Sequence, residues 1–246
     1  MFSNAPRFSL IIPAYNEEGY LPRLLDTVDV ARERYGGGSE AIEVVVVDNL
    51  STDRTGEVAR ARGCRVVRVE ERVIAAARNG GARAARGEAL AFVDADSRIH
   101  PETFNTIDRA LATGRVIGGA TGVKLERLSL GLAVTYLVMV PVVWMTGFDT
   151  GVVFCRRASF DAVGGYNEGR LYAEDVEFLF QLKRLGKMRG QKLVRLTSVK
   201  AVASTRKFDK HGDWHYMTTM FTKVLPRLVR RRAVGDFERT YWYEDR

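Results

Sequence analysis

Four short runs within the first hundred residues constrain the fold more than anything else in the chain. They are "FSLII" (Phe8 to Ile12), "IEVVVVDN" (Ile42 to Asn49), "CRVVRVE" (Cys64 to Glu70) and "ALAFV" (Ala89 to Val93). The first, second and fourth are nearly continuous in apolar residues, and each is too short for a helix. Such runs read as strands buried on both faces. Helical signals lie between them. Leu21, Leu24, Leu25, Val28 and Ala31 recur at helical spacing from Glu17 to Tyr35, with Pro22 in the early turns. "STDRTGEVARARG" offers a Ser/Thr cap, an early acid and Gly63 as a stop. "IAAARNGGARAARG" (Ile74 to Gly87) is Ala-rich and helical in character, with Gly80 and Gly81 as soft spots, and Pro101 opens the next helix. Strand and helix alternate four times, the pattern of βαβ units that build a mostly parallel sheet covered on both faces.

In such sheets ligands bind beyond the carboxyl ends of the strands. Asn16, Asp48 and the pair Asp94 and Asp96 all follow strand ends, so they are expected to line one crevice. No Gly-x-Gly-x-x-Gly follows the first strand and no Gly-x-x-x-x-Gly-Lys-Ser/Thr occurs, which argues against a Rossmann dinucleotide site and a P-loop. A divalent metal is the remaining natural means of holding phosphate. Magnesium takes one or two carboxylates and completes its shell with phosphate and water. Asp94 and Asp96 supply that arrangement, and the metal offsets both their mutual repulsion and a diphosphate's charge. A second acidic site is Glu174 and Asp175, at the start of a helix marked by Val176, Leu179, Phe180, Leu182 and Leu185. Acids are favoured there by the helix dipole. A general base for an attacking hydroxyl would have the same placement, and spacing alone does not separate the two roles.

"SLIIPAYNEEGYLPRLL", "VVVVDNLSTDRT", "AARNGGARAARGEALAFVDADSRIHPE" and "GVVFCRRASFDAVGGYNEGRLYAEDVEFLFQLKRLGK" stand in the order seen in family 2 glycosyltransferases of the GT-A fold. The resemblance spans Phe8 to Lys187. It implies an α/β, Rossmann-like, mostly parallel sheet flanked by helices, and an inverting transfer from a nucleotide-diphosphate sugar helped by magnesium or manganese. By that resemblance Pro13, Ala14, Tyr15 and Glu17 form the first nucleotide-contacting loop, Asp48 reads the base, and Arg78 lies beside the nucleotide. Asp94 and Asp96 match the metal-binding Asp-x-Asp, Asp96 being the surer ligand. Asp175, the second member of the Glu174–Asp175 pair, matches the catalytic base. On this reading residues 1–187 are the catalytic domain and 188–246 a basic C-terminal extension.

"LSLGLAVTYLVMVPVVWMTG" (Leu128 to Gly147) carries no charge over 20 residues, long enough to just span a bilayer. Pro141 interrupts it. A single span would also put the Asp-x-Asp and "FDTGVVFCRR" on opposite sides of a membrane. An interfacial or re-entrant hairpin, a dimer contact or a buried core helix fits better. The formal net charge of +8 is uneven: Lys183 to Arg246 hold 17 Lys/Arg against 6 Asp/Glu, which points to an anionic partner. "KFDKHGDWHYMTTMFTKVLPRLVRRR" (Lys207 to Arg232) mixes aromatics with cations as interfacial segments do. Peripheral attachment to the inner face of the cell membrane and a lipid-linked acceptor follow as expectations. "STRKF" (Ser204 to Phe208) is a candidate for holding the donor diphosphate, and Arg156 and Arg157 for an acceptor phosphate or else for plain surface. A nucleotidyltransferase is the alternative enzyme, but its first loop is usually Gly-rich and basic where "IIPAYNEEG" is acidic. No helix-turn-helix, zinc-finger or RNA-binding signature supports a nucleic-acid-binding protein. The two cysteines, Cys64 and Cys155, suggest neither a disulfide framework nor a zinc site. The polar N-terminus does not read as a signal peptide. A reducing cytoplasm is the default.

Overall fold

The computed structural model describes residues 5–127, 150–169 and 174–206, together with 129, 131, 134, 209, 212 and 213. A seven-stranded sheet forms the centre, in the order β3-β2-β1-β4-β7-β5-β8. Its strands are β1 (Phe8–Ala14), β2 (Ile42–Asp48), β3 (Arg65–Arg68), β4 (Ala89–Phe92), β5 (Val116–Ala120), β7 (Val153–Arg156) and β8 (Lys192–Arg195). The expected βαβ units are present: β1 pairs in parallel with β2 and β4, and β2 with β3. β7 alone runs antiparallel, between β4 and β5, so the sheet is mostly parallel.

The apolar runs are continuous because helices cover both faces. Leu10 and Ile12 point into one layer with helices α1 (Leu21–Glu33), α2 (Thr55–Ala61) and α4 (Thr103–Ala112). Ile11, Val45, Val47, Leu90 and Phe92 point into the other, with α3 (Ile74–Ala84), α5 (Arg157–Val163) and α6 (Glu174–Met188). All seven residues of β1 are buried. At about 25 cal/mol per Å² of apolar surface, burial on both faces is what stabilises strands with few polar groups.

α3 lies unusually close to the sheet. A Cβ on Gly81 would stand 2.4 Å from the Ile11 Cγ2 and 2.7 Å from the Val47 Cγ2. Gly81 is therefore where the backbone approaches β1 and β2, and a Cβ on Gly80 would stand 2.4 Å from the Val69 Cγ2, just past β3.

The sheet continues past Lys187. β8 pairs in parallel with β5 and makes the edge strand. A small second sheet then pairs β6 (Val123–Leu125) with β9 (Ala201–Ala203). A backbone bridge ties β9 to the turn after Asp96: the Arg98 N–H donates to the Val202 carbonyl at 2.9 Å and the reverse bond is 2.8 Å. Residues 188–206 thus belong to the same folded body as residues 5–127. The apolar segment 128–147, apart from residues 129, 131 and 134, lies outside the described residues. So do His211, His215 and most of Lys207 to Arg232.

Candidate active site

The strand ends meet where β1 and β2 finish level, Ala14 opposite Asp48. Pro13 and Ala14 are buried in the last positions of β1, and the Asn49 N–H donates to the Ala14 carbonyl at 2.9 Å. Asn16 takes a left-handed backbone (φ 53°), which Asn tolerates better than most residues. Its side-chain Oδ1 accepts the Thr52 N–H at 2.8 Å, so the loop after β1 is locked onto the loop after β2. Asp48 Oδ1 accepts the Ser51 N–H at 2.9 Å. The Arg72 guanidinium lies 4.2 Å from the centroid of the Tyr15 ring, and the Asn49 amide donates to the carbonyls of Val69 and Glu71. Tyr15, Asp48 and Arg72 form one end of the crevice, a flat aromatic-cation face beside a carboxylate.

Arg78 organises the other end. It sits in the middle of α3, 3% exposed, and its fork is shared among three acids. Nη1 donates to Glu174 Oε1 at 2.8 Å and to Asp175 Oδ1 at 2.7 Å, and Nη2 to Asp94 Oδ1 at 3.0 Å. The guanidinium also lies 5.1 Å from the Tyr166 ring centroid. Burial opposes its charge, but Asp175, Asp94 and Glu174 outweigh that and hold it firmly protonated. Three carboxylates around one guanidinium leave the cluster net negative if all are ionised. The strain shows at Asp175, whose carboxyl is pushed up to about 7: burial is the main cause, Arg78 opposes it, and Glu174 and Asp94 add repulsion.

Asn79, the next residue, secures the approach to α6. Its amide donates to the Tyr166 carbonyl and to Glu168 Oε1, both at 2.8 Å, and its carbonyl oxygen accepts the Tyr166 N–H at 2.9 Å. Glu174 and Asp175 occupy the first turn of α6, where the helix dipole favours acids.

Asp96 engages a different cation. Arg206, three residues past β9, places Nε 3.1 Å from Asp96 Oδ2. Its two terminal nitrogens meet the two oxygens of Glu17 at 2.7 and 2.5 Å. Glu17 is 2% exposed, and its backbone N–H donates to Thr55 Oγ1 at 2.7 Å. Asp94 and Asp96 present only oxygen donors, which suits magnesium or manganese. Among the described residues no three acids, histidines or cysteines converge as a self-sufficient metal site. The chain's contribution fits a metal completed by substrate phosphate and water.

The residues that the resemblance assigns to donor, metal and base sit at one end of the sheet. The structure brings Asp94, Glu174 and Asp175 together on Arg78, and Glu17 and Asp96 together on Arg206. Pro13, Ala14, Tyr15 and Asp48 lie along the same rim. Arg156 and Arg157 do not face the crevice. Arg156 pairs with Ala89, at the opposite end of β4. Arg157 donates to the carbonyls of Gly87 and Ala82 at 2.9 and 3.1 Å, holding the C-terminal end of α3. Antiparallel β7 ends where parallel β4 begins, which is why "FCRR" delivers its arginines to the far side. The bracing by Asn79 carries no local sequence signal, and Arg206, which falls in the Ser204–Phe208 stretch singled out for the donor diphosphate, instead pairs with Glu17 and Asp96. Arg206 is one of many cations in its region, and its partners are remote in the chain.

The comparisons with known proteins agree with this geometry. The family described as "Glycosyl transferase family 2" matches residues 9–139, more than half of the chain. The chain is 37% identical over 111 residues to a validoxylamine A glucosyltransferase of Streptomyces hygroscopicus subsp. limoneus, covering 43% of this chain and 24% of that protein. It is 36% identical over 123 residues to an undecaprenyl-phosphate 4-deoxy-4-formamido-L-arabinose transferase of Pseudomonas paraeruginosa, covering 45% and 34%. The chain thus matches about a quarter to a third of the length of these curated relatives. Among solved structures it resembles a mannosyltransferase from Pyrobaculum calidifontis, in complex with GDP-Man and Mn2+, with a TM-score of 0.67 and 22% identity over 93% of this chain and 66% of that one. That likeness bears on fold, and the fold is GT-A. With the sheet order, the acids at its strand ends and the matched residues in accord, the chain belongs to glycosyl transferase family 2.

Proposed function

We propose that the protein is an inverting glycosyltransferase that moves a sugar from a metal-bound nucleotide-diphosphate donor to an acceptor hydroxyl or phosphate. The observation that carries this reading is the shared guanidinium: Arg78 holds Asp175 at 2.7 Å and Asp94 at 3.0 Å. A prospective base and a prospective metal ligand are thereby fixed to one buried cation. The names of the relatives are consistent with it, since both are glycosyl-moving enzymes.

Each residue has a role in this reading. Tyr15 and Asp48 take the base and ribose, with Pro13 and Ala14 forming the floor and Glu17 anchoring the loop. Asp94 and Asp96 hold magnesium or manganese, which would supply positive charge to the departing diphosphate. With a hydroxyl acceptor, Asp175 accepts the hydroxyl proton as its oxygen attacks the anomeric carbon and the bond to the diphosphate breaks. Its carboxyl near neutrality suits a base that takes a proton and later loses it to water. Arg78 engages Oδ1 of Asp175, fixing the carboxylate's orientation, and Glu174 supports the same guanidinium. Attack opposite the leaving diphosphate inverts the anomeric centre.

One relative is named for undecaprenyl phosphate and another for validoxylamine A, a lipid phosphate and a small molecule. The apolar segment 128–147 and the basic stretch 207–232 favour the lipid-linked class and peripheral contact with the inner face of the cell membrane. Among the described residues no helix is long and apolar enough to cross a membrane.

The deciding experiment is calorimetric titration of the whole chain with UDP, GDP and their sugar conjugates, in Mn2+ and in chelator, beside Asp96→Ala. Metal-dependent binding of one donor, lost in the variant, is the expected result. A folded protein that binds no donor with or without anionic vesicles would overturn the reading.

A further inference from the structure

Arg206 is placed with more care than a surface cation needs. β9 carries it to the crevice by pairing with β6 and bridging to Arg98. Both terminal nitrogens are spent on Glu17, a bidentate fork on a carboxylate that is itself almost fully buried. Nε is aimed at Asp96 Oδ2, 3.1 Å away, and the guanidinium lies 4.6 Å from the centroid of the Tyr20 ring. Glu17 and Asp96 strengthen the charge against the cost of burial. A single side chain therefore ties the loop after β1 to the tip after β4.

We propose that Arg206 is an internal counter-ion for Asp96, competing with the divalent metal, so that loading of the donor exchanges the Arg206–Asp96 contact for a metal–Asp96 contact. This rests on the reading of Asp96 as a metal ligand. The physics is direct. A guanidinium and a divalent cation on one carboxylate repel each other at a few ångströms in a partly buried site. Without the metal, Asp96 adds a negative charge beside the net-negative Arg78 cluster. Arg206 sets a positive charge against it and links the two walls of the crevice through Glu17 and Asp96. With the metal bound, the Nε–H must leave Asp96, while the two bonds to Glu17 keep the side chain at the rim. Metal affinity is thereby lowered when no nucleotide is present to complete the coordination shell.

The test is Mn2+ binding to the intact chain, followed by the electron paramagnetic resonance of free Mn2+, for wild type and Arg206→Gln. It is run without nucleotide and then with saturating UDP or GDP. Without nucleotide, Arg206→Gln should bind Mn2+ more tightly than wild type, by about tenfold, the scale of coupling between two ligands of one site. An arginine that merely braces the crevice gives the opposite sign, since a loosened site loses its ligand geometry. Equal or weaker Mn2+ binding by folded Arg206→Gln overturns the proposal. If that variant does not fold, the wild type decides: the Nε–H resonance of Arg206 should shift on titration with Mg2+, and an unchanged resonance at saturating Mg2+ overturns it. Metal bound in the presence of nucleotide but indifferent to Arg206→Gln sinks this inference alone. No metal bound by either protein, with or without nucleotide, sinks the glycosyltransferase reading with it.

Discussion

Arg78 and Asp175 work as a pair with opposite needs. Arg78 stays charged while buried, as arginine does, and the three carboxylates that converge on it offset the cost of that burial. Arg78→Met should cost about 3–5 kcal/mol, the scale for removing one partner of a buried ion pair, measured by urea unfolding. Asp175→Asn should lower turnover by about 10²–10⁴-fold, the usual contribution of general acid–base catalysis, while leaving donor affinity near wild type in calorimetry. Wild-type turnover should rise with pH up to about 7, because the raised Asp175 carboxyl must lose its proton before it can take one. A rate that is flat from pH 5 to 8 would remove Asp175 from the base role. At this scale the sequence was legible where a short polar motif ends an apolar run, as at Asp94, Asp96 and Asp48. The stretch holding Arg206 was legible as a candidate, but its pairing was not: its partner Glu17 lies 189 positions away, and no local pattern encodes a long-range ion pair.

Among the elements, α3 shows how packing overrides propensity. Glycines cost a helix stability relative to alanine, yet Gly81 faces Ile11 and Val47 with no room for a methyl group. Gly81→Val should destabilise the fold by about 1–3 kcal/mol through overpacking, read as a lowered Tm, and should also reduce donor binding because α3 carries Arg78. The strands β1, β2 and β4 were readable because burial on both faces leaves continuous apolar runs. β5 was not, since "VIGGA" carries two glycines in five residues. A Cβ on Gly119 would stand 2.0 Å from the Val194 carbonyl oxygen of β8. Close backbone approach removed the side chains by which a strand is recognised.

At the scale of the whole molecule, the division expected at Lys187 falls inside the last turn of α6 (Glu174–Met188), and β8 just beyond it pairs in the same sheet. A chain ending at Lys187 would leave β5 as an open edge of buried residues and would lose the arginine that spans Glu17 and Asp96. Such a chain should be insoluble or lack a cooperative thermal transition, whereas the intact chain should show one by circular dichroism. Charge asymmetry and the β/α rhythm gave the class and the crevice end of the sheet. They did not reveal that the C-terminal stretch contributes an edge strand, because four residues of mixed polarity in "KLVR" carry little periodicity.

The antiparallel strand in the middle of the sheet also bears on how the protein is made. β4 emerges from the ribosome well before its neighbour β7, with about sixty residues between Phe92 and Val153. At roughly 5–20 residues per second that interval lasts several seconds. Throughout it, the four N-terminal strands can assemble, but Leu90 and Phe92 border an unfilled edge. Nascent chains stalled before Val153 should bind a hydrophobic dye that chains stalled well beyond β8 no longer bind. Synthesis therefore passes through a stage in which half a sheet waits for its antiparallel strand, and the span from β4 to β7 sets how long a chaperone has something to hold.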